Sequence, residues 1–238
     1  MRPGALSLMT AGRGISHAET TTPTSPTLRG VQLWVALPDS ARDTPPAFEH
    51  HPRLPVLVSG GVSATVVLGT LGETSSPATT YSPIVGADVT VSGSGGTLPL
   101  EPSWEHAVLA LTDGLVVDGD PLPAGSLAYL GCDRDSIDLR GESRALLLGG
   151  LPFQEELLMW WNFVGRDDEV RTGGGVQRPA VACTDPASDP LAAPRPRLAA
   201  AGPQPFCARP VRRARVGRCR RTAPPQARRS AGRTARHR

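Results

Sequence analysis

The chain has 238 residues, of which 39% are hydrophobic and only 4% aromatic, with 26 Gly, 25 Pro and a formal net charge of +3. This length suits one large or two small domains, and the composition favours short strands and many turns over long helices. No apolar run reaches the roughly 18 residues of a membrane span, and the first ten residues lack a charged stretch followed by an apolar one, so neither a membrane anchor nor a secretory signal is expected and the default compartment is the cytoplasm.

In chain order, the first notable stretch is Met9-Thr10-Ala11-Gly12-Arg13-Gly14-Ile15-Ser16-His17-Ala18-Glu19, a glycine-rich turn followed by a strand-like His-x-Glu pair. Residues two apart in a strand face the same way, so His17 and Glu19 project together, as two neighbouring ligands of one ion must. Gly30–Leu37 is apolar at nearly every position and reads as a strand buried on both faces, closed by Pro38. Glu49-His50-His51 has the composition of a metal cluster. Adjacent histidines on an extended chain point in opposite directions, however, and Pro52 follows, so a solvated linker is expected.

Ser63–Gly69 is a strand rich in β-branched residues, and Ala87–Val91 alternates. His106–Leu111 and Leu115–Asp118 flank Thr112-Asp113-Gly114, a hairpin signal with glycine available for positive φ. Gly119-Asp120 and Pro121–Gly125 read as turns. Leu127–Leu130, Ser136–Leu139 and Arg144–Leu148 are further strands. Such regular short spacing predicts a β-sandwich or barrel. A weak internal repeat sets Gly4 and Leu6 against Gly125 and Leu127, which suggests two copies of one unit. The second copy has no His-x-Glu pair. His106 lacks a His-x-His partner and is assigned a structural hydrogen bond. Cys132 has no nearby histidine to activate it, and the four cysteines show no C-x-x-C spacing, so they read as incidental thiols. Trp160 and Trp161 are expected to pack against the barrels.

The charge is divided along the chain. Residues 1–170 hold 9 Arg against 20 Asp and Glu, a net charge of −11, while residues 171–238 hold 16 Arg against two Asp, a net charge of +14. Ala, Pro, Gly and Arg make up 46 of the last 68 residues. Such a segment cannot bury enough apolar area to offset its chain entropy, so disorder is expected. It reads as a plain extension, as an arginine-rich arm binding nucleic acid nonspecifically, or as a GC-rich gene translated out of frame. The absence of lysine favours the last.

The motif around His17 and Glu19 resembles the first-domain signature of the pirin family, which are two-domain cupins. Leu28–Val35, Phe48–His51, Thr79–Pro83, Glu105–Val108 and Leu147–Phe153 resemble further pirin segments, so the likeness covers most of residues 3–166. It implies an all-β bicupin: the remaining part of a first cupin barrel and its link over 1–75, a second barrel over 76–166, and an unrelated or frameshifted basic tail over 167–238. In that family three histidines and one glutamate hold iron in the first barrel. Two of those histidines form a His-x-His pair on an earlier strand, and this sequence contains no such pair. The resemblance therefore implies an N-terminally truncated barrel, with His17 and Glu19 as the remaining half of an Fe(II) site.

The implied activity is that of a quercetinase-type dioxygenase acting on a small aromatic, flavonol-like substrate, impaired by the missing strand. Glu19 is the candidate catalytic group, able to accept the substrate's proton. The alternative is a non-enzymatic, metal- or redox-responsive regulator that binds a transcription or metabolic protein.

Overall fold

The computed structural model describes residues 4–17, 30–160 and 163–166. Their regular structure is fifteen strands and one 3-10 turn, Asp39–Ala41. The first two strands, β1 (Leu6–Thr10) and β2 (Ala47–His51), form an antiparallel pair running from Leu6 opposite His51 to Thr10 opposite Ala47.

The body of the molecule is built from two antiparallel sheets. The larger has the order β11 (Leu127–Gly131), β8 (Glu105–Ala110), β13 (Ser143–Gly150), β6 (Ile84–Val91), β4 (Val62–Leu71), β3 (Val56–Ser59), with the short β5 (Thr74–Ser75) also on β4. The smaller has the order β10 (Asp120–Leu122), β9 (Leu115–Val117), β12 (Ser136–Arg140), β7 (Gly96–Pro99). A last hairpin joins β14 (Leu158–Trp160) to β15 (Phe163–Gly165).

The core lies between the inner faces of these sheets. Strand β4 alternates strictly over its first seven residues, with Val62, Ala64 and Val66 fully buried. This is the period-two pattern of a strand with one face on a core. Ala87 and Val89 of β6, Val108 and Ala110 of β8, and Ala145 and Leu147 of β13 continue that inner face. Leu98, Leu115, Ile137 and Leu139 meet it from the smaller sheet. Burying each of the valine, leucine and isoleucine side chains contributes roughly 1.5–3 kcal/mol, so this two-sheet unit carries most of the stability.

Several expectations change here. Thr112-Asp113-Gly114 is not a hairpin turn. Gly114 does take a positive φ of 91°, but β8 pairs with β13 and β11, whereas β9 pairs with β12 and β10. The turn is a corner that carries the chain from one sheet to the other. Asp120–Leu122, read as turn, is instead a strand at the sheet edge, where Pro121 removes no needed ladder donor. Glu49-His50-His51 is strand rather than linker.

Gly30–Leu37 forms no strand, and Val31, Leu33, Trp34 and Val35 are exposed rather than buried. An extended segment becomes a strand only with a ladder partner, and none of the described residues pairs with it. Strands β3 and β4 hydrogen-bond into the same sheet as β6. The packing of Trp160 and Trp161 and the basic segment 167–238 lie outside the described residues or side chains.

The outer edge of the larger sheet is apolar. On β3, Val56 is 49% and Val58 70% exposed. Unpaired edges with exposed apolar side chains template association. The purified chain is therefore expected to self-associate, and Val58→Lys to shift it toward monomer. Light scattering after gel filtration checks this, and a monodisperse monomer before substitution would contradict it.

Candidate functional site

Two regions gather groups capable of chemistry. The first follows β1. Its last residue, Thr10, is buried, and the chain then turns through Gly12, whose φ is 49°. A Cβ there would lie 2.0 Å from the Thr44 carbonyl oxygen, so only glycine fits. The turn is held by the Gly14 N–H on the Ala11 carbonyl at 2.8 Å and the Arg13 N–H on the Thr44 carbonyl at 3.0 Å. These bonds fix where the following segment departs. His17 sits on that segment, exposed and outside any strand. Its expected companion Glu19 lies outside the described residues.

Beside it, β2 presents a Glu-x-His pair. The His51 Nε2 and Glu49 Oε2 are 2.9 Å apart, and Glu49 Oε2 also accepts the Thr79 backbone N–H at 3.2 Å. The His51 hydrogen bond holds the Glu49 carboxyl below its ordinary value. His50 faces the other way and meets Ser7 Oγ through Nδ1 at 3.1 Å. Among the described residues no three His, Cys, Asp or Glu side chains group as a metal site. His17 alone cannot fix the geometry of a transition ion, so the described residues do not complete an iron site.

The second region lies inside the two-sheet unit. His106 is only 2% exposed and sits on the inner face of β8 with Val108 and Ala110. Both strands beside it present glycine: Gly149 of β13 and Gly131 of β11 are its register partners. A Cβ on Gly149 would lie 2.6 Å from His106 Cδ2, so glycine leaves the imidazole its space. The ring lies near-parallel to Trp104, with centroids 6.4 Å apart.

The buried Nδ1 of His106 has no hydrogen-bond partner. Burial pushes the imidazole below its ordinary value of 6.5; the Trp104 backbone and the Glu101 charge pull the other way without cancelling it. The ring is thus kept neutral. Sequence reasoning missed the surroundings that make it distinctive. The available signal was the Gly149-Gly150 pair inside a strand, where glycine often marks a close approach.

A pH prediction follows. The unfolded chain protonates His106 near 6.5 and the folded chain only at lower pH, so the unfolded state binds more protons in that window. Stability is full above about 6.5 and falls as the pH drops below it. His106→Leu should flatten this slope relative to the parent. Urea midpoints at pH 7.5 and 5.5 check it, and identical slopes would refute it.

Comparison with known proteins identifies the lineage. Residues 87–171 match the profile described as the pirin C-terminal cupin domain, and residues 1–35 match the pirin profile. This chain belongs to the pirin family. The second match contains His17 and Glu19, and the first contains His106 and Gly149. A Pseudomonas aeruginosa relative, provisionally named quercetin 2,3-dioxygenase, is 45% identical over 69% of this chain and 53% of its own length. A pirin-like protein of Caulobacter vibrioides is 33% identical over 68% of this chain and 61% of its own. The crystal structure of a quercetin 2,3-dioxygenase from Acinetobacter baumannii superposes with a TM-score of 0.68 at 38% identity, covering 73% of this chain and 59% of that one. The pirin chain described here thus spans between about half and three-fifths of the length of these relatives. No helix among its described residues is long and apolar enough to cross a membrane.

Proposed function

We propose that this pirin-family chain belongs to a metal-dependent dioxygenase of the quercetinase type, with His17 and Glu19 as two ligands of its Fe(II). The observation that supports this best is the 45% identity to a relative carrying that provisional name, together with the position of both residues inside the pirin-matched stretch. Bound iron would supply the means to bring a flavonol-like substrate and dioxygen together. In this reading Glu19 also takes the substrate's hydroxyl proton, and the glycine turn Gly12–Gly14 sets the direction from which His17 enters the site. The protein acts in the cytoplasm.

Two ligands hold a transition ion weakly, so the chain by itself is expected to turn over little flavonol. Quercetin consumption by the chain fused to a pirin strand bearing the His-x-His pair tests the reading. Turnover should appear in the fusion and vanish in His17→Ala and Glu19→Ala. A fusion that holds iron but consumes no flavonol would instead favour a metal-responsive regulator acting on a protein partner.

A further inference from the structure

We infer that the two-sheet unit holds its own ligand site, independent of the iron, which takes a small organic cation with an apolar body, of the alkylammonium class. A cleft of about 320 Å³ lies between the end of β4, the start of β6 and the segment that leaves β7. This volume is at the lower end of the roughly 300–1,000 Å³ of small-molecule sites. Thr70, Thr80 and Glu101 are the exposed polar residues of its lining. Leu71, Val85 and Leu100, each at least nine-tenths buried, give it an apolar wall.

Glycine and a bulge shape this lining. Strand β4 bulges between Val66 and Leu68 where it pairs with β6, and bulges commonly flank binding sites. Just beyond, Gly69 takes a φ of 64°, and a Cβ there would lie 1.7 Å from the Ile84 carbonyl oxygen. Gly72 takes a φ of 55°, and a Cβ there would lie 2.9 Å from Pro99 Cγ. Both glycines and Pro99 line the cleft, so side chains at these positions would crowd it.

The charge of the lining selects the ligand. Among the described residues that line the cleft, Glu101 alone is charged, and burial holds His106 neutral. Glu101 and Trp104 come from one turn, closed by the Trp104 N–H on the Glu101 carbonyl at 2.9 Å. Ser103 fixes the carboxylate, its Oγ and N–H donating to Glu101 Oε1 at 2.8 and 3.3 Å. Among the described residues no group donates to Oε2. The Glu101 charge is felt at the His106 imidazole, so its field extends to the buried end of the cleft. Apolar walls focus such a field. A cation gains from the carboxylate and from the indole, whose ring attracts the same sign. A neutral molecule of the same shape gains only the apolar wall, and an anion is repelled.

The probes are tetramethylammonium, tert-butanol and pivalate, which share a branched methyl body and differ in charge, titrated into the intact chain by NMR and calorimetry at low salt. Tetramethylammonium should saturate in the millimolar range or tighter, at least about fivefold tighter than tert-butanol. It should move the Trp104 side-chain resonances, and pivalate should not saturate. In Glu101→Gln, an exposed position where the variant keeps the side chain's shape, the preference for the cation should fall to no more than about twofold. Added salt should weaken the cation's binding to the parent and leave that of tert-butanol in place. The inference is overturned if tetramethylammonium does not saturate, if tert-butanol or pivalate binds as tightly, or if the Trp104 resonances stay in place. Survival of the preference in Glu101→Gln overturns it too. Should Glu101→Gln fail to fold, the salt dependence in the parent decides, and a preference indifferent to salt refutes the site. Loss of iron binding through His17→Ala should leave all of these results unchanged, and a dependence on His17 would place the cation elsewhere and overturn the inference.

Discussion

Leu139→Ala is expected to lower the free energy of unfolding by about 2–5 kcal/mol, the range for emptying a leucine site in a well-packed core. Leu139 is fully buried in the middle of the smaller sheet, in register with Gly96 on β7 and Val117 on β9. It packs within one continuous cluster that also holds Leu98, Leu115 and Leu147. Because the cavity would sit between two sheets tied on both sides by ladders, the walls cannot collapse into it, which places the loss in the upper half of that range. Small domains are stable by only about 5–15 kcal/mol, so one methyl-rich side chain carries a sizeable share. Leu127→Ala is the control: it is 51% exposed on the edge strand β11 and should cost under about 1 kcal/mol. Urea unfolding of the three proteins measures both. A loss below about 1 kcal/mol at Leu139 would mean that the two sheets do not share one core.

The two-sheet unit was largely legible in the sequence because its strands alternate. Ser63–Gly69, Ala87–Val91, Ser136–Leu139 and Arg144–Leu148 each match an observed strand to within a few residues. Among the strands that escaped, β3, β7 and β10 are only three or four residues long. They carry or adjoin Pro55, Pro99 and Pro121, so local propensity argues against them and only pairing brings them in. The error at Gly30–Leu37 has the opposite cause. It is apolar at nearly every position, yet strand formation is a property of two segments, and none of the described residues pairs with it.

The site divides in the same way. His17 and Glu19 stand out by spacing and by family likeness. His106 was visible as a histidine in phase with Val108 and Ala110, and hence inward-facing. The lack of any partner for its Nδ1 depends on three strands distant in sequence, which no local pattern reports.

Iron stoichiometry distinguishes a half-site at His17 and Glu19 from a complete one. If His17 and Glu19 are two ligands of an Fe(II) site, ligand number governs both affinity and geometry. The 238-residue chain should purify with well under one iron per chain, and the same chain fused to a pirin strand bearing the His-x-His pair should approach one. In the fusion, His17→Ala or Glu19→Ala should return the content to near zero, whereas His106→Ala should leave it unchanged, since that ring faces the interior of the other unit. Elemental analysis of the chain, the fusion and these variants provides the reading. One iron per unmodified chain that survives His17→Ala would contradict the account and place the metal elsewhere.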